Sequence, residues 1–335
     1  MPAKPAATEK TGPTRAARAL WYAAKGRVEI RSETLPPLTS SDVQVRTLFS
    51  GISRGTERLV FSGMVGQSEW DRMRAPLQAG AFPFPVKYGY CATGIVEAGP
   101  TELMGRTVFV LHPHQDRFVA PASMAVPIPD GVPARRATLA ANMETALNAL
   151  WDSGAGPADR IVVIGGGIIG LLVGYLAVRL PGADATLIDV AEARRPLVEA
   201  LGLKFATPAQ APADGDVVFH TSVSAQGLAT AINAAGFEAT VVELSWYGDA
   251  LTSTPLGGAF HSRRLRLVSS QVGHVSASRR PRWDYRRRMD AALALLADPV
   301  LDLLVADEFA FEDAPARLPE VLAAGASGLA PVIRY

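Results

Sequence analysis

The sequence predicts an α/β fold of two domains, with a β-rich unit built from both ends of the chain and a doubly wound parallel sheet between them. Residues 19–111 hold short apolar runs separated by Gly and Pro, whereas residues after 154 alternate strand-length with helix-length segments. This alternation is typical of a parallel sheet covered by helices. A chain of 335 residues is long enough to bury two cores of this kind.

The β-rich unit is predicted to comprise residues 19–133 and 280–335. Residues 1–18 are rich in Ala, Pro, Lys and Thr and lack an apolar core. That composition predicts a disordered extension rather than a secretory signal, and a transit peptide is the alternative. The strands of the N-terminal part are predicted at residues 19–22, 28–32, 42–50, 90–98 and 107–111.

The central domain is predicted to comprise residues 134–279. It begins with a helix over 134–151, where apolar residues recur at helical spacing. Its strands are predicted at residues 161–164, 186–189, 216–220, 240–244 and 265–269. The chain then ends with a helix at residues 289–296, a strand-like segment at 308–311, a second helix at 314–324 and a last strand at 331–334. We expect these last elements to return to the β-rich unit.

A glycine motif directly follows the first apolar strand of the central domain. Gly165 permits a tight turn, Gly167 lets the backbone approach a pyrophosphate, and Gly170 lets the next helix pack closely on the sheet. The backbone amides that begin this helix, those of Ile168 and Ile169, then face the phosphates at the positive end of the helix dipole. With a strand before it and a helix after it, the motif predicts a nucleotide-binding oxidoreductase.

The choice of cofactor depends on the next apolar run, which stops at Asp189. A carboxylate there can accept hydrogen bonds from both ribose hydroxyls, and it repels a 2′-phosphate. The cofactor is therefore predicted to be NAD, with NADP as the less favoured alternative. Arg194 is assigned to the same site, and it keeps NADP open because an arginine just past the strand can accommodate the additional phosphate.

Composition excludes several classes of protein. A formal net charge of +1 provides no electrostatic footprint for nucleic acid, and the single cysteine, Cys91, excludes an intramolecular disulfide. Residues 161–178 are uncharged, but Arg160 and Arg179 flank them directly, and their glycines cluster at the motif. A buried strand and helix explain that segment better than a membrane span. We therefore expect a cytoplasmic protein with no nucleic-acid or membrane partner.

Residues 49–57 and 89–99, together with the glycine motif, resemble the medium-chain dehydrogenase/reductase superfamily, and the likeness extends over nearly the whole chain. Within it, residues 51–57 followed by 61–63 are most similar to the group that includes the 2-desacetyl-2-hydroxyethyl bacteriochlorophyllide dehydrogenases. The resemblance implies a GroES-like catalytic domain beside a Rossmann domain. It also implies a small-molecule substrate in the cleft between the domains, and a homodimer.

The resemblance also indicates what this chain lacks. Zinc-dependent members of the superfamily hold a catalytic metal at three positions that here look like Ser53, Tyr90 and Ala141. These residues do not supply the thiolate, imidazole or carboxylate ligands that zinc requires. Residues 100–119 contain no cysteine for the second, structural zinc. The resemblance therefore implies a zinc-independent protein with no metal site.

Hydroxyl and carboxyl side chains remain as candidates for catalysis without zinc. Tyr90 and Ser53 are expected to hydrogen-bond the substrate oxygen, and Lys87 is close enough in sequence to lower the pKa of Tyr90. Glu57 and Glu144 are candidate general bases, because an apolar pocket can raise the pKa of a carboxylate toward neutrality.

Further expectations concern the rim of the site. The resemblance implies that Thr145 packs at the nicotinamide ring and that Arg54 reaches the cofactor pyrophosphate. The arginine-rich run at residues 279–288 is interpreted as a solvated helix start, with a pocket wall for an anionic substrate as the alternative. His112 and His114 are expected at the surface or lining a pocket rather than on a metal.

The leading hypothesis is a zinc-independent, NAD-dependent dehydrogenase or reductase that acts on an alcohol/carbonyl pair. One alternative is an NADPH-dependent quinone or enone reductase, since zinc-free members of the superfamily include such activities. The other is a protein that binds NAD(H) without catalysis, in which the loss of zinc was a loss of chemistry.

Overall fold

The computed structural model describes residues 15–326 and 328–335. Of the predicted extension at residues 1–18, residues 1–14 lie outside the described residues. The first strand already begins at Ala16, where it pairs with Thr34 of the next strand. The last three residues of the predicted extension therefore belong to the sheet, and the prediction is wrong there.

The strands form three sheets, with the bounds β1 Ala16–Ala24, β2 Arg27–Thr34, β3 Asp42–Gly51, β4 Ala79–Gly80, β5 Val86–Lys87, β6 Ala92–Ala98, β7 Thr107–Val110, β8 Arg117–Pro121, β9 Val126–Pro127, β10 Arg160–Ile164, β11 Asp184–Ile188, β12 Lys204–Ala206, β13 Gly215–His220, β14 Ala235–Glu243, β15 Arg266–Ser269, β16 Glu308–Ala310 and β17 Val332–Arg334. The four-stranded sheet has the order β2-β1-β5-β4, and the seven-stranded sheet has the order β16-β17-β3-β6-β7-β9 with β8 also on β3. Because β17 pairs with β3, the end of the chain returns to the β-rich part.

The helices have the bounds α1 Arg54–Phe61, α2 Ala134–Ala137, α3 Ala140–Ser153, α4 Ile168–Ala177, α5 Arg195–Ala200, α6 Ala225–Ala234, α7 Gly258–Ser262, α8 Tyr285–Ala294 and α9 Ala314–Val321. Helix α1 begins within the segment 49–57 that carries the resemblance. The helix predicted over residues 134–151 is divided into α2 and α3, where the Thr138 hydroxyl donates to the Arg135 carbonyl (2.6 Å) and ends the first helix.

The central six-stranded sheet is parallel and has the order β12-β11-β10-β13-β14-β15. The side chains of strand β10 show why helices cover both faces of this sheet. Ile161 and Val163 point into one apolar core, whereas Val162 and Ile164 point into another on the opposite face. Within the part of the chain that the structure describes, none of the helices has the length and apolarity needed to cross a bilayer.

Candidate active site

The turn between β10 and α4 needs glycine at two of its three motif positions. Gly165 has a φ of +109°, which is left-handed backbone that glycine adopts without strain. A Cβ added to Gly170 would lie 1.9 Å from the Gly165 carbonyl oxygen, so α4 packs directly onto the turn. Apart from its two chain neighbours, no described residue has an atom within 4 Å of a Cβ added to Gly167, which is the N-cap of α4 and has no side-chain cap. The amide groups that begin α4 therefore open onto free space.

Asp189 follows the end of β11 and lies beside this turn. Its Oδ2 accepts a hydrogen bond from the Gly166 amide (2.5 Å), and its Oδ1 accepts one from the Ala191 amide (2.7 Å). These bonds orient the carboxylate, and each oxygen keeps a second lone pair for a ligand. The fit to a dinucleotide is therefore good, because the glycine turn, the open amides and a fixed carboxylate occur together.

A cavity of about 1030 Å³ joins the glycine turn to the β-rich part of the molecule. This volume is at the upper end of the range for small-molecule sites. The predicted site residues that line it are Ser53, Arg54, Tyr90, Glu144, Thr145, Gly167, Ile168, Ile169, Asp189 and Arg194. Gly165 and Gly170 belong to the glycine turn but do not line the cavity. Glu57 does not line the cavity either.

Ser53, Tyr90 and Ala141, the residues at the three positions where the resemblance implies zinc ligands, line the same cavity. Their side chains offer two hydroxyls and a methyl group, so they do not fit a zinc ion. Within residues 15–326 and 328–335, no group of three or more His, Cys, Asp or Glu is placed to hold a metal.

The structure does not support the expected activation of Tyr90 by Lys87. Burial raises the pKa of the Tyr90 hydroxyl, which interacts with the side chains of Ser53 and Thr56. The Lys87 ammonium instead donates to Glu33 (2.7 Å) and to the Gln115 side chain (2.8 Å). Tyr90 is therefore a neutral hydrogen-bonding group at physiological pH and not a base.

Glu57 lies behind the cavity wall in a buried polar network, which corrects the expectation that it acts on substrate. Its Oε2 accepts from the Tyr22 hydroxyl (2.6 Å) and contacts His114 Nε2 (3.0 Å), and its Oε1 accepts from the Ser53 amide (2.7 Å). Burial acts to raise the pKa of Glu57, but the charge and hydrogen bond of His114, together with the other bonds, lower it. His114 Nδ1 in turn contacts the Ser50 hydroxyl (2.7 Å). Glu57 therefore anchors the start of α1, where Ser53 lies.

Because the pKa of Glu57 is lower in the folded protein, its contribution to stability is present at neutral pH and is lost as the pH falls through that lowered pKa. We expect Glu57→Gln to reduce the free energy of unfolding by about 2–4 kcal/mol at pH 7, since a buried ionic acceptor is lost. The difference in the free energy of unfolding between the native protein and the variant should become smaller below pH about 4. Urea unfolding at a series of pH values measures this gap, with exposed Glu192→Gln as the control, and a gap that stays constant with pH would contradict the account.

Glu144 and Arg288 form a buried ion pair at the cavity. Arg288 Nε donates to Glu144 Oε1 (2.9 Å), and the two side chains are only 2% and 8% exposed. The Arg288 guanidinium also donates to the Asn148 side chain (2.7 Å) and to the carbonyls of Val272 (2.6 Å) and His274 (3.1 Å). Burial raises the pKa of Glu144, and the charge of Arg288 opposes that shift. Glu144 Oε2 makes no hydrogen bond with the described residues, so it is available to a ligand.

The position of Arg288 corrects the interpretation of the run at residues 279–288 as a solvated helix start. Helix α8 begins at Tyr285 and most of the run is exposed, yet Arg288 lies on the buried face with Met289 and Ala292. That face follows the helical spacing of the apolar residues, which is the signal in the sequence that could have identified Arg288.

Arg54 and Thr145 both line the cavity, but local bonds already occupy them. The Arg54 guanidinium donates to the carbonyls of Val321 (3.0 Å), Ala326 (2.6 Å) and Gly328. Burial and the nearby cations lower the pKa of Arg54. The Thr145 hydroxyl donates to the Ala141 carbonyl (2.9 Å) one turn earlier in α3.

His112 and His114 are both buried, so the expectation of surface or pocket-lining histidines is wrong. The His112 ring stacks on Phe118 with centroids 3.8 Å apart, and burial lowers its pKa to about 3. His114 belongs to the network of Glu57.

Sequence reasoning missed a hydrogen-bonded chain at the ends of β13 and β14. His220 Nδ1 contacts Glu243 Oε2 (2.7 Å), and His220 Nε2 contacts the Ser222 hydroxyl (2.7 Å). His220 and Glu243 are register partners in the parallel sheet, so both occur at the carboxyl edge where the cavity opens. Glu243 Oε1 also accepts from the amide of Ser245, a residue of the cavity wall. The chain therefore supports that wall.

No protein-family model matches this chain, and none of the curated proteins matches it in sequence. Solved structures match it along its length. A protein of Sinorhizobium meliloti described as a zinc-binding dehydrogenase, bound to NADP, has a TM-score of 0.76 at 18% identity, with 96% of this chain and 99% of that chain covered. An alcohol dehydrogenase of Escherichia coli complexed with NADH has a TM-score of 0.76 at 14% identity and covers 96% and 100%.

The 2R,3R-butanediol dehydrogenase of Bacillus subtilis has a TM-score of 0.77 at 16% identity, with 95% of this chain and 99% of that chain covered. Likeness at such low identity shows the fold alone. The fold is that of these dehydrogenases, a GroES-like β-rich part joined to a Rossmann parallel sheet, as the sequence predicted.

Proposed function

We propose that this chain is a zinc-independent, NAD(H)-dependent dehydrogenase or reductase of the medium-chain superfamily that acts on an alcohol/carbonyl pair. One observation carries the proposal: the glycine turn and Asp189 line the same cavity as Ser53, Tyr90 and Glu144. A dinucleotide at the turn and a substrate at the hydroxyls would then share one enclosed space. Residues 51–57 followed by 61–63 favour the group that includes the 2-desacetyl-2-hydroxyethyl bacteriochlorophyllide dehydrogenases.

When bound, the nicotinamide supplies or accepts the hydride, and the protein's own side chains position the substrate and move one proton. The hydroxyls of Tyr90 and Ser53 hydrogen-bond the substrate oxygen, at the place that zinc takes in other members of the superfamily. Glu144 is the group that moves the proton, because it is buried, its pKa is raised and its Oε2 is unbound. Arg288 holds that carboxylate in place from the opposite side.

Asp189 is the residue that favours NAD over NADP. We expect Asp189→Ala to weaken NADH binding about tenfold and to narrow the difference between NADH and NADPH, because hydrogen bonds to a charged acceptor are lost and the repulsion of a 2′-phosphate disappears. Calorimetric titration of both cofactors measures this, with exposed Asp130→Ala as the matched control. Tighter binding of NADPH than of NADH by the native protein would contradict the assignment and favour the quinone or enone reductase.

The experiment that tests the proposed function is NADH oxidation by metal-stripped protein with a panel of aldehydes, ketones and quinones. We expect turnover with a carbonyl compound at the same rate before and after zinc is added back. A rate that appears only with zinc would overturn zinc independence. NADH binding without turnover on any member of the panel would favour the non-catalytic alternative.

The assembly is proposed to be a homodimer. Strand β15 is an edge of the parallel sheet, and Arg266, Leu267 and Ser269 on it are exposed. An unpaired edge can join the same edge of a second copy across a twofold axis. Light scattering tests this, and the mass of a monomer would contradict it.

A further inference from the structure

We propose that the substrate carries an anionic group, a carboxylate or a phosphate, and that Arg72 and Arg74 bind it at the cavity wall. This inference rests on the proposed function, because it assigns the substrate class of the same cavity. The observations that carry it are the charge of the cavity lining, the position of these two arginines and the partners that they lack.

The cavity lining is strongly cationic. Its acidic side chains are Glu144 and Asp189, whereas its basic side chains are Arg54, Arg58, Arg72, Arg74, Arg194, Arg286 and Arg288. The pyrophosphate of a dinucleotide compensates only two of these charges. A cavity with an excess of one sign raises the local concentration of ligands of the opposite sign. The lining therefore retains positive charge for the substrate.

The arginines fall into groups with different roles. Arg58 and Arg194 are close enough to Arg54 to lower its pKa, and Arg194 follows the turn of Asp189. Backbone carbonyls orient Arg54 and Arg58 without neutralising them, and we assign this first group to the phosphates of the cofactor. Arg288 and Arg286 are neutralised by Glu144 (2.9 Å) and Asp290 (3.0 Å).

Arg72 and Arg74 line the cavity as part of the segment 72–76. Met73, between them, packs against the same apolar cluster as Tyr90 and Trp246. Tyr90 is one of the hydroxyls assigned to the substrate oxygen, and Trp246 follows the carboxyl end of β14. Because Met73 and Tyr90 both line the cavity and pack on one apolar cluster, we assign Arg72 and Arg74 to the wall around the substrate.

These two arginines carry charge that the protein does not compensate well. Arg74 meets no carboxylate within the described residues, and it donates to the carbonyls of Gln78 (2.9 Å) and Gly80 (3.4 Å), which orient it without neutralising it. Among the carboxylates of residues 15–326 and 328–335, Arg72 meets only that of Glu69, at 3.5 Å, and its side chain is 76% exposed. A guanidinium with free N–H groups binds carboxylate and phosphate oxygens through paired hydrogen bonds.

The rest of the wall defines the body of the substrate. Its apolar members include Phe109, Leu111, Met124, Val126 and Met289, and polar side chains such as Ser123, Asn142 and Gln271 lie among them. Such a surface stabilises an aromatic or alkyl portion. The substrate class is therefore a ketone or aldehyde, or the matching alcohol, with an apolar body and an anionic end.

The test compares matched ketones that differ in one charged group, acetophenone with 4-acetylbenzoate and 2-heptanone with 6-oxoheptanoate. Each is titrated calorimetrically into the protein saturated with NAD, so that no reduction occurs and binding is measured without turnover. We expect the anionic member of at least one pair to bind about tenfold tighter or more. In the double variant Arg72→Gln/Arg74→Gln, that ratio should fall to within about twofold.

The matched control is Arg27→Gln/Arg106→Gln, which removes two exposed arginines outside the cavity and should keep the preference. Equal binding of both members of each pair by the native protein would overturn the inference and leave the proposed function intact. A preference that persists in the Arg72/Arg74 variant would also overturn it. Failure of NAD itself to bind would instead count against the proposed function.

Discussion

Replacing Glu144 by Gln is expected to lower kcat for carbonyl reduction by about 100-fold or more, because the amide cannot give or take the proton at the substrate oxygen. Steady-state kinetics with NADH measures the change. Glutamine keeps the size of the side chain and can still accept the hydrogen bond from Arg288, so the wall of the cavity stays in place. The expected loss therefore falls on kcat and not on the affinity for NADH.

The pH dependence separates a proton-transfer role from a structural one. Burial raises the pKa of Glu144, so the native profile of kcat against pH should contain a limb that belongs to this group. That limb should be absent in Glu144→Gln and present in the exposed control Glu102→Gln. An unchanged kcat, or an unchanged profile in Glu144→Gln, would assign the proton to another group.

The second large effect is on stability. Arg288→Met is expected to reduce the free energy of unfolding by about 3–5 kcal/mol, because the Glu144 carboxylate is left buried without its cation. Asn148 and two carbonyls lose donors in the same variant. Adding Glu144→Gln should restore part of the loss, since a neutral amide is less costly to bury alone than a charge.

Arg286→Met is the matched control for this prediction. Arg286 lies two residues earlier on the same helix and pairs with Asp290 at the surface, four residues along. Such exposed pairs contribute about 0.3–0.5 kcal/mol. Urea unfolding of the four proteins gives the comparison. Equal losses in the Arg288 and Arg286 variants, or no recovery in the double variant, would contradict the account.

The turn proposed to bind the dinucleotide could be located from the sequence because its geometry is local. Gly165, Gly167 and Gly170 act through the backbone of a single turn, and the strand before them fixes where that turn lies. The position of Asp189 beside that turn can be predicted as well, because neighbouring parallel strands end at the same edge of a sheet. No contact between distant parts of the chain is needed to place these groups.

The catalytic half could not be predicted in the same way, because its partners come from distant parts of the chain. The sequence makes Glu57 a candidate general base, but α1 turns it inward to His114 and Tyr22, which the sequence does not place beside it. The sequence makes Glu144 a candidate as well, but it does not indicate that Arg288 of α8 pairs with it. The apolar spacing of α8 could have indicated that Arg288 is buried, but not which residue it meets.

The most direct test of the central claim is calorimetric titration of metal-stripped protein with NADH. We expect saturable binding of one NADH per chain, with the same affinity when zinc is added back, because the turn at Gly167 and the carboxylate of Asp189 form the proposed site without a metal. Absence of NADH binding, or binding that appears only with zinc, would contradict it.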